Sequence, residues 1–333
     1  MDQFSEVSGI SRPTLSKYFN DPASVRPKTR ERIEAALLRH DYRPNLFAIN
    51  QNRRATKNIG VIVPHIVDPF YAEMVRQIET RCLEADYWAI VLSSHGREDL
   101  ESNALDTLRS LKVAGAIIAP LGASSDHERF RRFEDRTPTI FFDNHLGGEP
   151  AYVGTDNRQS ISLIVDYLCR SGEPPCFIDM TNVNTNARDR HDAYCAAMEA
   201  RGATPHIIQV DGRDWNFEQL GYETGRRQLA GRGFPSSSVL CANDRIAFGL
   251  LAAAYEADVR VGRATGYSLR IAGHDDHPLS RFTSPPLTTV AQNYAAIAEN
   301  CLALLFQRIE AGTVGGEPTS HKLPGQLILR SSA

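Results

Sequence analysis

A chain of 333 residues, 42% of them hydrophobic, is too long for one ordinary core and is expected to form two or three domains. No run approaches the ~20 apolar residues of a membrane helix. The opening MDQFSEVSGIS has neither the basic nor the apolar stretch of a secretory leader, so a cytoplasmic protein is expected. The net charge of -3 hides an asymmetry: residues 1–57 carry 11 basic against 6 acidic side chains, and the remainder 26 against 34. A basic head on an acidic body is what a chain shows when only its head meets polyanions.

The head reads as three short helices. Phe4, Val7 and Ser8 lie at helical spacing on one face of the first, Gly9 ends it and Ile10 plugs the turn. Ser11 is a good N-cap for a second helix over 13–19, with Pro13 tolerated in its first turn. A third helix opens at Pro27 and sets Ile33, Ala36 and Leu37 on one face. Two helices joined by a tight glycine turn, the second opening on small polar residues, make a helix-turn-helix. In that motif the second helix enters the DNA major groove, which places Arg12, Thr14, Ser16 and Lys17 against base edges and phosphates.

The stretch SGISRPTLSKYFNDPASVRPKTRERIEAALLRHDYRPN resembles the DNA-binding headpiece of the lactose-repressor (LacI/GalR) family. Four features carry the likeness: the G-I-S-x-x-T-L-S-K core at 9–17, Asn20, K-T-R-E at 28–31, and Y-x-P-N at 42–45. The resemblance implies operator contacts from Ser11, Arg12 and Pro13, with Arg12 and Pro13 choosing the sequence. It implies phosphate contacts from Thr14, Ser16, Lys17, Asn20 and Thr29. Residues 45–52 correspond to the family's hinge helix, which wedges into the minor groove; Asn45, Ala48 and Gln51 are its DNA-facing positions. Gln51 stands where the family usually has leucine, which bears on whether the operator is kinked. The expected organisation is a headpiece over 1–44, a hinge over 45–57 and a body over 58–333, in a nucleoid-associated protein.

From Ile59 onward, short β-branched runs alternate with helical stretches. Strands are expected at 59–63, 88–92, 115–119, 139–142, 176–180, 239–242 and 269–273. Near-continuous apolar strands between amphipathic helices call for parallel sheets covered on both faces. The alternation restarts near residue 175, so two α/β lobes are expected, with crossovers near 155–160 and 285–292. Ligands sit beyond the carboxyl ends of such strands, and the exits here are polar: Asp68-Pro69-Phe70-Tyr71, Ser93-Ser94, Asp143, Asn243-Asp244 and His274-Asp275-Asp276.

The family resemblance extends through DPFYAE, the A-N-D-x-x-A-x-G stretch at 242–249, G-H-D-D at 273–276 and PPLTTV at 285–290. It implies a sensor domain with the periplasmic sugar-binding fold. In it Arg190 grips an effector, Asp275 and Asn243 bond its hydroxyls, Asp68, Asp143 and Gln292 line the cleft, and Phe70 and Trp215 form apolar walls. An aromatic plate with carboxylate and amide partners suits a sugar, and Arg190 suits a sugar acid as well. His274 replaces the family's usual Tyr or Phe. The chain closes on Leu329-Arg330 and a short Ser-Ser-Ala without leucine heptads, so a homodimer on a pseudo-palindromic operator is expected.

Other chemistries compete. The run His274-Asp275-Asp276-His277 has metal-ligand residue types, yet adjacent side chains rarely converge on one ion. The six scattered cysteines, with no CxxC pair, read as reduced structural thiols. No phosphate-binding glycine loop and no G-x-S-x-G elbow occurs. The expectation is therefore a regulator with no cofactor and no enzymatic activity. The rival is a solute-binding protein or metal-dependent hydrolase on the same fold.

Overall fold

Leu15 holds the first three helices together. It is fully buried among Phe4, Ile10, Val25 and Ile33, contributed by α1 (Asp2–Ser8), α2 (Arg12–Asn20), α3 (Pro27–Arg39) and the turns between them. The computed structural model describes residues 2–20, 22–42, 56–147, 151–180, 184–212, 215–264, 266–314 and 319–333. It falls into two units, Met1–Thr56 and Lys57–Ala333.

In the first unit Phe4 stacks on Tyr42 with ring centroids 4.2 Å apart. Gly9 ends α1 at φ +61, a left-handed conformation that costs glycine little, and its carbonyl accepts from Arg32 Nη2 at 2.8 Å. Val7 is not on the inner face; it is 57% exposed. The buried stripe of this one short helix runs instead through Phe4, with Ser5 turned inward to donate to the Ile10 carbonyl, and that rotation carries Val7 into solvent. Helix α2 begins one residue earlier than expected, at Arg12, and the Ser11 carbonyl accepts from Leu15 N.

The second unit contains two sheets built on the same logic. Strands β1 (Asn58–Val63), β2 (Trp88–Ser93), β3 (Gly115–Ile118), β4 (Thr139–Phe142), β5 (Tyr152–Thr155) and β11 (Ser320–Leu323) form a parallel sheet in the order β11-β5-β4-β3-β1-β2. Along β1, Ile59, Val61 and Val63 face α4 (Pro69–Glu84) and α11 (Tyr294–Ala311). Ile62 faces the other way, toward α5 (Glu98–Ser110) and α6 (His127–Glu134). Cover on both faces is why the strand reads as one apolar run.

The second lobe orders β6 (Cys176–Ile178), β7 (Ile207–Ile208), β8 (Ser238–Cys241) and β9 (Arg270–Ala272) as β7-β6-β8-β9. Helices α7 (Asn157–Ser171), α8 (Thr185–Glu199), α9 (Phe217–Ala230) and α10 (Asp244–Glu256) pack around it. Helices α9 and α10 approach so closely that a Cβ on Gly249 would lie 2.0 Å from the Glu218 carbonyl oxygen; the last residue of A-N-D-x-x-A-x-G is therefore a packing glycine.

The expected crossovers run from β5 into α7 and from β10 (Thr289–Ala291) into α11. A third, not foreseen, runs from β11 to β12 (Gln326–Ile328), which pairs antiparallel with β10. Five strands lie outside the expected set: β5 and β10 adjoin or fall within stretches expected only as crossovers, and three causes hid the others. The sequence of β11, SHKL, alternates with exposure at a sheet edge; β7 has two residues; and β12 sits in a short ribbon.

Candidate functional site

The DNA-facing candidates of the headpiece follow from how α2 buries itself. Leu15 is its inward anchor, which leaves Ser11, Arg12, Pro13 and Lys17 exposed and Thr14 and Ser16 half-exposed or less. Ser11 Oγ and Thr14 Oγ1 lie 2.8 Å apart, a side-chain bond across the first turn. Asn20 closes α2 and Thr29 sits half-buried in the first turn of α3. Asn45, Ala48 and Gln51 lie outside the described residues.

In the body, all eight candidate effector residues line one cavity: Asp68, Phe70, Asp143, Arg190, Trp215, Asn243, Asp275 and Gln292. They come from both lobes and from the second crossover. Arg190 is buried and pinned: Nε donates to Asn157 Oδ1 (3.1 Å), Nη1 to the Ala242 carbonyl (2.8 Å) and Nη2 to Asp275 Oδ1 (2.9 Å). Asp275 Oδ1 also accepts from Gln292 Nε2 at 2.7 Å. Burial alone would raise the Asp275 carboxyl, but Arg190 and His274 together hold it below the ordinary value.

Asp143, from the first lobe, accepts from Tyr71 (2.8 Å), Asn144 (3.1 Å) and, across the cleft, Asn186. It is largely buried and forms no ion pair among the described residues, and burial raises it to about 6. A second contact between lobes is Asp68 Oδ2 with Arg245 Nη1 at 2.8 Å. Burial pushes Asp68 up against the opposing pull of Arg245. Arg245 is itself aimed by Glu218 at 2.6 Å and lies over the Phe217 ring. Rings from both lobes meet as well, His65 against Trp215 at 4.7 Å and Tyr71 against Trp215 at 6.2 Å.

Two candidates have less freedom than a ligand-gripping role requires. Asp68 uses its other oxygen to cap α4 through Phe70 N, so both its oxygens are engaged. Asn243 caps α10 through Ile246 N and turns its amide nitrogen to Met180 Sδ at 3.7 Å. The sequence reading missed Tyr71, Asn186, Arg245 and Tyr294, all of which line the cavity. Tyr71 and Arg245 each adjoin a motif residue in the first turn of a helix, and that position was the available signal; nothing in the sequence marked Asn186. Residues 274–277 do not converge on one point: His274 bonds Asp275 and Ser160, while Asp276 pairs with Arg330 at 2.6 Å. Among the described residues no group of three or more His, Cys, Asp or Glu side chains could hold a metal ion, and all six cysteines are free.

Residues 5–45 match the model of bacterial regulatory proteins of the lacI family, and residues 174–333 match that of a periplasmic binding protein-like domain. The chain carries a LacI-family helix-turn-helix domain and a periplasmic-binding-protein-like domain. It is a DNA-binding transcription regulator with a sensor domain for a small molecule. The chain is 27% identical to the ribose operon repressor of Escherichia coli over 321 residues, 94% of each chain. It is 26% identical to the HTH-type transcriptional repressor PurR of Haemophilus influenzae over 331 residues, 98% of this chain and 96% of that one. The fold matches a Lac repressor bound to ONPG in the repressed state with TM-score 0.84 at 23% identity, covering 99% of this chain and 98% of the other. It also matches a complex of the transcriptional regulator CelR with cellobiose, TM-score 0.70 at 21% identity, covering 99% and 98%. No helix among the described residues is long and apolar enough to cross a membrane.

Proposed function

We propose that this LacI-family regulator is a cytoplasmic homodimer that represses its target genes and changes its grip on a pseudo-palindromic operator when an uncharged or weakly acidic sugar enters the cleft. The observation that carries this reading is the convergence of eight residues, spread from position 68 to 292, on one cavity between two lobes, in a chain that also bears a basic helix-turn-helix. The arrangement pairs aromatic walls (Phe70, Trp215) with fixed donors (Arg190, Gln292) and acceptors (Asp143, Asp275), the chemistry that holds hydroxyls. The ribose and cellobiose in the names of two similar proteins make free pentoses and hexoses the first effectors to try.

In the headpiece, Arg12 reads a guanine edge while Thr14, Ser16, Lys17, Asn20 and Thr29 fix the register on phosphates. The hinge positions Asn45, Ala48 and Gln51 meet the minor groove. Exposed Tyr255, Leu279 and Phe282 on the second lobe, at 84%, 56% and 76% accessibility, supply apolar surface for a partner copy. Effector binding need shift the lobe arrangement by only ~1–3 kcal/mol to change operator occupancy by one to two orders of magnitude. The test is selection of genomic fragments by the full-length protein, with and without each sugar. Enrichment of a palindromic site that one sugar weakens or strengthens is expected. No enrichment under any condition overturns the reading.

A further inference from the structure

The carboxylate at the centre of the cavity is held by a side chain outside the set expected to touch an effector. His274 is fully buried; its Nδ1 lies 2.9 Å from Asp275 Oδ1 and its Nε2 2.9 Å from Ser160 Oγ. An ionised Asp275 can only accept, so Nδ1 carries the ring proton, and Nε2, left with its lone pair, accepts from Ser160. Burial, together with the charge of Arg190, pulls His274 down to about 4 and keeps the ring neutral.

The order Ser-His-Asp has the spacing of a hydrolytic triad, but the nucleophile is sealed. Ser160 is 0% exposed and does not line the cavity, so no substrate reaches its hydroxyl. The chain of bonds works toward Asp275 instead. That residue sits at φ +121, a conformation side-chain-bearing residues keep only where the surroundings impose it. Its N–H donates to the Val290 carbonyl (2.8 Å) and its own carbonyl accepts from Tyr294 Oη (2.7 Å). Arg190, Gln292 and His274 all converge on Oδ1. Oδ2 receives no donor from the described residues and is the oxygen left for a ligand.

The far end of the relay is anchored in the lobe junction. A Cβ on Gly325, in the third crossover, would lie 2.8 Å from Ser160 Cβ. The neighbouring Gln159 brackets the same glycine, accepting from its N–H at 2.9 Å and donating to its carbonyl at 3.3 Å. We propose that His274 is a positioning residue for effector recognition: it presents Asp275 Oδ2 to the effector and ties that carboxylate, through Ser160, to the junction of the first and third crossovers. The proposal rests on the reading of the cleft as the effector site.

The experiment uses the full-length protein and a panel of free pentoses and hexoses. Thermal unfolding picks the sugar that stabilises most, and calorimetric titration of that sugar then compares the wild type with His274→Phe, His274→Asn and Ser160→Ala. His274→Phe deletes the donor to Asp275 and is expected to weaken binding about 10- to 100-fold, the range typical of outer partners of a ligating group. His274→Asn places an amide nitrogen near the Nδ1 position and restores most of the affinity, which a merely space-filling role would not allow. Ser160→Ala, which frees the ring at one end, gives a smaller loss and decides the matter if His274→Phe fails to fold. Wild-type affinity in both His274→Phe and Ser160→Ala overturns the proposal, as does a cooperatively folded His274→Asn that stays as weak as His274→Phe. A wild type that responds to no sugar overturns the sugar-effector reading beneath it, a distinct result.

Discussion

Two arginines divide the work of this molecule. Arg12 is exposed on α2, on the face proposed to meet DNA. Arg12→Ala should cost about 1–3 kcal/mol of operator binding and relax preference at one base pair, read by competition with single-base operator variants; a uniform loss over all variants marks a phosphate contact instead. Arg190 is buried with three of its donors committed. Arg190→Ala should abolish the effector response in a gel shift by freeing Asp275, and an unchanged response removes Arg190 from the site. His274 makes a pH prediction whose sign is fixed. Its folded value of about 4 lies below the ordinary 6.5, so the unfolded chain binds the extra proton first. Its stabilising share is whole above pH 6.5 and is lost as pH falls toward 4. By linkage the loss approaches about 3 kcal/mol. Buried Asp143 and Asp244, raised by burial to about 6 and about 7, tilt stability the opposite way. The measurement is therefore the difference between denaturant melts of wild type and His274→Phe at each pH: the wild type should lose ground to the variant on acidification, and a constant difference contradicts the buried neutral ring.

At the scale of elements, the headpiece depends on very few contacts. Leu15 and Ile33 are both fully buried in a core with three further buried members among the described residues, too small to absorb a cavity. Leu15→Ala should cost about 2–5 kcal/mol and abolish operator binding while the main unfolding transition of the body stays put in calorimetry. A shifted main transition means that the two units do not unfold independently. The same elements show what sequence pattern can carry. Strands such as β1 and β8, buried on both faces, announce themselves as apolar runs; β11 and β7 do not, because an edge strand needs few apolar residues and a two-residue strand has no period. Val7 went the wrong way because a helix of seven residues offers two candidate stripes, and the hydroxyl of Ser5 decided between them.

Across the whole body, the lobes are held by polar bonds as well as by the chain crossings. The pair Asp68–Arg245 is largely withdrawn from water, with side-chain exposures of 10% and 17%. Removing Arg245 leaves the buried Asp68 charge without compensation, whereas removing Asp68 leaves Arg245 paired with Glu218. Asp68→Asn and Arg245→Gln should each destabilise the body, and their double-mutant cycle should show a coupling of about 0.5–3 kcal/mol. Solution scattering of Arg245→Gln should report a larger radius of gyration, and an unchanged radius with additive losses rules out a role in holding the lobes together.

By itself the sequence carried the family likeness, the helix-turn-helix, the two-lobed parallel fold and eight of the residues that line the cleft, because motif residues and apolar periods are local and survive without coordinates. Only the tertiary structure decided which atoms of those residues are free. That Asp68 is spent on an ion pair with Arg245, that Asp143 is bridged by Asn186, and that His274 bonds one oxygen of Asp275 are contacts between residues 43 to 177 positions apart, or between neighbours forced together by a strained turn. Hydrogen-bond partnership at that range depends on how two lobes close, and no spacing along the chain encodes it.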